Sequence, residues 1–176
     1  MSSSANSVDT VSCDIVERAA AVRLLVLDVD GVLTDGRLYF NNDGETLKVF
    51  HVRDGAGIVQ LRRIGIEIAI ISGRHSQAVD RRMSELGVTH VYQGIHDKQT
   101  TLQNLLAKLQ LSADQLACVG DDTPDIPMLN VARLAAAVAD AHPSARAAAH
   151  YVTRTPGGLG AVREVCDLIL HAQRGA

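Results

Sequence analysis

Asp28 and Asp30, in the segment DVDGVLTDG (28–36), are the two residues of this 176-residue chain whose type and spacing best suit covalent chemistry. They close the apolar run LLVLDVD (24–30). An i, i+2 spacing at the end of an extended segment aims both carboxylates to one side. One carboxylate can attack a phosphate ester and form an acyl phosphate, dividing a hard hydrolysis into two easier steps. The other, held protonated, can supply the leaving alkoxide with a proton and later take one from the hydrolytic water. Gly31 and Gly36 let the backbone between them approach a phosphate closely. Taken alone, a DxDG segment reads as readily as a surface turn, so the pair needs support from elsewhere in the chain.

Three further groups offer it. Ser72 stands in IISGR (70–74), Lys98 in DK (97–98), and Asp121, Asp122 and Asp125 in GDDTPD (120–125). A hydroxyl and an ammonium can bind phosphoryl oxygens and stabilise charge in the transition state. Clustered carboxylates suit a hard, oxygen-seeking cation such as Mg²⁺; the same cluster would also stabilise a helix N-terminus through its dipole. A carboxylate nucleophile and a phosphate dianion repel each other, so the nucleophile and the cation site require one another. The seven histidines include no metal-like pair.

These residues must be carried to one place, and the pattern of the chain says how. Strands are expected at 24–30, 66–73, 88–92, 116–120, 134–139 and 151–153, with helices at 55–63, 76–86, 97–109, from about Pro124, from Pro143, and at 161–173. RLYFN (37–41) and TLKVF (46–50) alternate apolar and polar residues around NDGE (42–45), which predicts a β-hairpin. Strands alternating with helices predict an α/β fold, a doubly wound and mostly parallel sheet with helices on both faces and ligands beyond the strand C-termini. The four chemistry-bearing groups each follow a different predicted strand, so one rim of the sheet would gather them.

Residues 1–20 read as a flexible tail, disordered through residue 12, with a short helix to Ala20 capped by Asp14; residues 21–176 read as one domain. A net charge of −3 argues against general nucleic-acid binding. The Ser-rich start lacks a basic, apolar leader, and no stretch approaches the ~20 apolar residues of a membrane span. Cys13, Cys118 and Cys166 are odd in number and far apart, which suits a reducing compartment. A cytoplasmic protein with no membrane or nucleic-acid partner is therefore expected.

DVDGVLT, IISGR, DK and GDDTPD, in that order, resemble the four motifs of haloacid-dehalogenase superfamily phosphatases. Over residues 20–173 the chain is more closely similar to the family of 3-deoxy-D-manno-octulosonate 8-phosphate phosphatases of lipopolysaccharide biosynthesis, through VRDG (52–55), YQG (92–94), VADAHP (138–143), YVT (151–153) and GGLGAVREVCD (157–167). The resemblance implies that Asp28 is the nucleophile and a metal ligand. It makes Asp30 the general acid/base and a ligand through its main-chain carbonyl. Ser72 and Lys98 would hold the transferring phosphoryl group. Asp121 would bind Mg²⁺ directly, with Asp122 and Asp125 supporting the metal's waters and Lys98.

The stretches between Asp30 and Ser72, and between Ser72 and Lys98, are filled by the predicted hairpin, helices and strands, leaving no room for a cap domain. The resemblance implies a homotetramer whose neighbouring subunits cover each site, with the Gly157–Gly160 segment reaching an active site. For the substrate, a sugar acid phosphate, the candidates are Thr34, Gly73, Arg74 and Gly158, with Asp35 and Arg53 weaker. Arg74 favours the octulosonate, because relatives acting on nine-carbon sugar acids tend to carry Glu there. A nonulosonate 9-phosphate, a broad set of sugar phosphates, or a non-catalytic tetramerisation module are the alternatives.

Overall fold

A computed structural model describes residues 11–42 and 44–175. Its centre is β1 (Leu24–Leu27), four fully buried aliphatic residues. Only a strand covered on both faces reads as an unbroken apolar run. It pairs in parallel with β4 (Glu67–Ile71) on one side and β6 (Leu116–Gly120) on the other. Between β1 and β4 lie the two strands of a separate antiparallel hairpin, β2 (Tyr39–Asn41) and β3 (Gly44–Leu47). With β5 (His90–Tyr92), β7 (Leu134–Ala137) and β8 (Tyr151–Val152), the main sheet runs β5-β4-β1-β6-β7-β8.

The chain moves outward from β1 to β4 and β5, then returns to β6 and moves the other way. Right-handed crossovers therefore place α2 (Val52–Arg63) and α3 (Gln77–Glu85) on one face. They place α4 (Lys98–Leu109), α5 (Ile126–Leu129) and α6 (Pro143–Ala148) on the other. The long final helix α7 (Ala161–Arg174) packs on α2 and on α1 (Cys13–Ala20). The direction of travel reverses between β1 and β6, and ligands of doubly wound sheets bind beside such a switch, beyond the strand ends.

This is the expected fold, with local departures. Ser12, not Asp14, caps α1, accepting a hydrogen bond from the Ile15 amide; Asp14 sits in the first turn and pairs with Arg18 at 2.8 Å. With Ser12 as the cap, Asp14 falls in the first turn, where the helix dipole and its i, i+4 partner Arg18 both favour a carboxylate. Helix α2 starts at Val52 rather than Gly55, because the His51 ring accepts from the Arg53 amide and caps it early. The hairpin strands are shorter than predicted, and Lys48 beyond β3 turns inward. Asp43 of the predicted Asp-Gly turn, and residues 1–10 of the expected tail, lie outside the described residues. The three cysteines form no disulfide. No helix among the described residues is long and apolar enough to cross a membrane.

Candidate active site

Parallel register is what brings the site together. Leu27 pairs with Ile70 and Val119, so Asp28, Ser72 and Asp121 all emerge within two residues of the same rim. Lys98 enters from the first turn of α4, whose N-cap Asp97 accepts from the Thr100 amide at 3.0 Å. Asp125 ends the short turn Thr123–Asp125, where its Oδ2 accepts from the Asp121 amide at 3.0 Å and the Asp122 amide at 3.3 Å. Asp28, Asp30, Ser72, Gly73, Arg74, Lys98, Asp121, Asp122 and Asp125 line one cleft of about 290 Å³. A larger groove, about 650 Å³, opens beside the hairpin along α3, but its walls hold one carboxylate, Glu85, and none of these groups.

Electrostatically the cleft has two halves. In one, the Lys98 ammonium lies 2.7 Å from both Asp28 Oδ1 and Asp125 Oδ1, all three side chains being buried. Asp28, Asp121 and Asp125 each bring a carboxylate oxygen within 4.8 Å of the others. Burial and the Asp125 charge push Asp28 above its usual range against the pull of Lys98. Burial, then the charges of Asp28, Asp125 and Asp122, push Asp121 up as well. Burial opposes the charge on Lys98, but its two carboxylates outweigh that and hold the ammonium more firmly protonated. This surplus of negative charge on hard oxygen donors fits a divalent cation, and one lysine does not neutralise it. In the other half, Asp30 pairs with Lys48 through Oδ1, and Arg74 Nε approaches its Oδ2 at 3.7 Å.

Two predicted substrate contacts lie elsewhere. The Thr34 hydroxyl is buried inside its own loop, donating to the Val29 carbonyl at 3.3 Å and accepting from the amides of Gly31 and Gly36. Gly158 packs against the same loop in its own chain, its amide donating to the Val32 carbonyl at 2.9 Å. A Cβ on Gly157 would stand 1.7 Å from the Gly31 carbonyl oxygen, and one on Gly158 2.3 Å from the Asp35 nitrogen. The glycine segment thus braces the Asp28–Asp30 loop from behind. Asp35 turns to the Arg37 amide, and Arg53 is exposed on α2; neither lines the cleft.

Several polar residues around the site were not among the candidates. Lys48 read only as one polar position of an alternating hairpin strand. Glu164 of α7 accepts from the Tyr151 hydroxyl at 2.6 Å, the Arg154 amide at 2.9 Å and the Thr155 hydroxyl at 2.9 Å, tying down the segment that leads to the glycines. Asp140 accepts from the Gly157 amide at 2.9 Å, and buried Asp54 of α2 accepts from the Arg163 amide at 2.7 Å. The resemblance had already taken in Asp54 within VRDG, Asp140 within VADAHP and Glu164 within GGLGAVREVCD, and Asp54 and Glu164 stand at or near the start of predicted helices; Lys48 carried neither signal.

Known proteins resemble this chain in sequence and fold. A family model described as haloacid dehalogenase-like hydrolase matches residues 90–164. A 3-deoxy-D-manno-octulosonate 8-phosphate phosphatase of Yersinia pestis is 53% identical over 163 residues, covering 93% of this chain and 87% of the relative. The chain belongs to that phosphatase family. A crystal structure of a Yersinia pestis member superposes with a TM-score of 0.91 at 52% identity, covering 93% of this chain and 89% of the other. A member from Moraxella catarrhalis, crystallised with magnesium ion, phosphate ion and KDO, superposes with a TM-score of 0.89 at 44% identity, covering 92% of this chain and 93% of the other.

Proposed function

We propose that this chain is a Mg²⁺-dependent phosphatase of lipopolysaccharide biosynthesis. It hydrolyses 3-deoxy-D-manno-octulosonate 8-phosphate to the sugar acid and phosphate through a phosphoenzyme on Asp28. The observation that carries the reading is the gathering of Asp28, Asp30, Ser72, Lys98 and Asp121 around one cleft, in a family whose Moraxella member was crystallised with magnesium, phosphate and KDO.

Asp28, Asp121 and the main-chain carbonyl of Asp30 would hold Mg²⁺, with Asp122 and Asp125 supporting its waters, and the ion offsets the negative charge that would keep Asp28 from a phosphate. The Asp28 carboxylate forms a bond to phosphorus as the ester P–O bond breaks. Asp30 gives its proton to the departing alkoxide, then accepts one from the water that opens the acyl phosphate. The Ser72 hydroxyl and the Lys98 ammonium hold the phosphoryl oxygens, while Asp125 fixes Lys98 from its far side. Arg74, whose side chain is 45% exposed at the rim, receives the substrate carboxylate, flanked by Gly73.

The enzyme acts in the cytoplasm as a homotetramer. Two observations support assembly. The cleft of about 290 Å³ sits at the lower edge of ligand-sized pockets, so one chain alone encloses little of a sugar acid phosphate. Leu38, Tyr39, Phe40, Leu47, Val49 and Val52, on and beside the hairpin, are large apolar residues left exposed. In the tetramer, Thr34 and Gly158 would act on the substrate through the loop they brace.

A phosphate-release screen over sugar acid phosphates with Mg²⁺, and with EDTA as control, tests the reading. The octulosonate 8-phosphate should have the highest kcat/KM and EDTA should abolish release. Preference for a nonulosonate 9-phosphate, or a flat ranking, would reassign the substrate.

A further inference from the structure

Asp30 sits between two cations of opposite exposure. Lys48, just beyond β3, has a side chain only 2% exposed, and its ammonium pairs with Asp30 Oδ1. Arg74 has a side chain 45% exposed, faces Asp30 Oδ2 at 3.7 Å and lies 6.0 Å from the centroid of the Phe40 ring. Lysine is almost never buried without a partner, because desolvating an ammonium is costly. Here the buried ammonium pairs with Oδ1 of Asp30. Lys48 lines the larger groove beside α3 and not the cleft that holds Asp28, so it reaches Asp30 from the hairpin.

We propose that Lys48 is a positioning residue for the reaction, holding Oδ1 of Asp30 so that Oδ2, on the cleft side with Arg74, carries the proton to the leaving alkoxide. The inference rests on the general-acid role proposed for Asp30. As the P–O bond breaks, the proton on Oδ2 passes to the alkoxide oxygen and Asp30 is left a carboxylate. Lys48 keeps its own protons throughout. The charge that grows on Asp30 does so opposite an ammonium already in place, an interaction stronger in the transition state than before it. The two cations then divide the work: the buried one orients the acid, and the exposed one meets the substrate.

The test is the dependence of rate on the leaving group, measured on the full-length, Mg²⁺-loaded protein. An alkyl phosphate such as the sugar acid phosphate needs a proton on its leaving oxygen, whereas 4-nitrophenyl phosphate expels a stable anion. General-acid help is worth roughly 10²-fold or more, so Lys48→Met should lower kcat on the alkyl ester by at least about tenfold and on the nitrophenyl ester by less than about threefold, with KM little changed. Lys48→Gln, which keeps a hydrogen-bond donor, gives the same ratio test if Lys48→Met does not fold. Equal losses on both esters, or a rise confined to KM for the sugar acid phosphate, would overturn the proposal. Asp30→Asn is the reference. If it too lacks the leaving-group bias, the role of Asp30 fails; if it shows the bias and the Lys48 variants do not, the Lys48 proposal alone fails.

Discussion

Lys98 contacts Asp28 and Asp125 in a cluster that also contains Asp121, so carboxylate charge exceeds cation charge before any ligand arrives. That imbalance makes a stability prediction. Mg²⁺ bound only by the folded state should raise the melting temperature of the wild type, by an amount equivalent to about 2.7 kcal/mol at a hundredfold excess over its Kd. Asp121→Asn should do the reverse of a damaging change in EDTA. It removes a charge that burial and its neighbours disfavour, so the metal-free variant should melt higher than wild type, and Mg²⁺ should no longer raise it. Thermal melts of both proteins with Mg²⁺ and with EDTA read both effects. A wild-type melting temperature indifferent to Mg²⁺ would count against the cation site. At this scale the sequence was legible wherever a functional residue stood just past a strand, as Asp28, Ser72 and Asp121 do. Lys48 was not legible, because a lysine in an alternating strand reads as solvated and its partner lies in another element. Thr34 was misplaced for a related reason: sequence gives the hydroxyl, but only the closed loop shows that it turns inward.

Among the elements, the loop after β1 is held from behind by the segment after β8. Glu164 and Asp140 fix the backbone of that segment, and Gly157 and Gly158 let it lie against the loop. Gly157→Ala should therefore cost about 2 kcal/mol in stability, as overpacking does, and should lower kcat with it by displacing the Asp28–Asp30 loop. Gly65→Ala is the matched control. Its φ of +85° makes any side chain strained, but nothing lies within 4 Å of the added Cβ, so the cost of about 1 kcal/mol should leave kcat unchanged. Chemical denaturation and steady-state rates on the two variants separate strain from collision. The order and type of the main-sheet elements followed from period and punctuation, and β6 ends at the residues expected. The bracing did not follow, since hydrogen bonds between Asp140 and Gly157, or Asp54 and Arg163, join segments that share no local pattern. The end of the hairpin also departed from expectation, because burial of Lys48 overrides alternation there.

For the whole molecule, the proposed assembly rests on the exposed apolar hairpin and the small, open cleft. Phe40 is 61% exposed in the single chain, so Phe40→Asp should be tolerated by the fold. In a tetramer held through the hairpins it would bury a charge at the contact, weakening assembly by about 2 kcal/mol or more at each copy. Light scattering should show smaller species, with KM for the sugar acid phosphate raised; an unchanged mass would move the interface away from the hairpin. The absence of room for a cap domain was legible in the spacing of the motifs, whereas no sequence pattern says which surface of a neighbour would close the cleft in the proposed assembly. The proposed chemistry stands on Asp28. Phosphate release from 3-deoxy-D-manno-octulosonate 8-phosphate, measured with Mg²⁺ for wild type and Asp28→Asn, tests it most directly. The wild type should turn over steadily and Asp28→Asn should fall by roughly 10³-fold or more, since the carboxylate that forms the acyl phosphate is gone. An Asp28→Asn variant with near wild-type activity would contradict the mechanism.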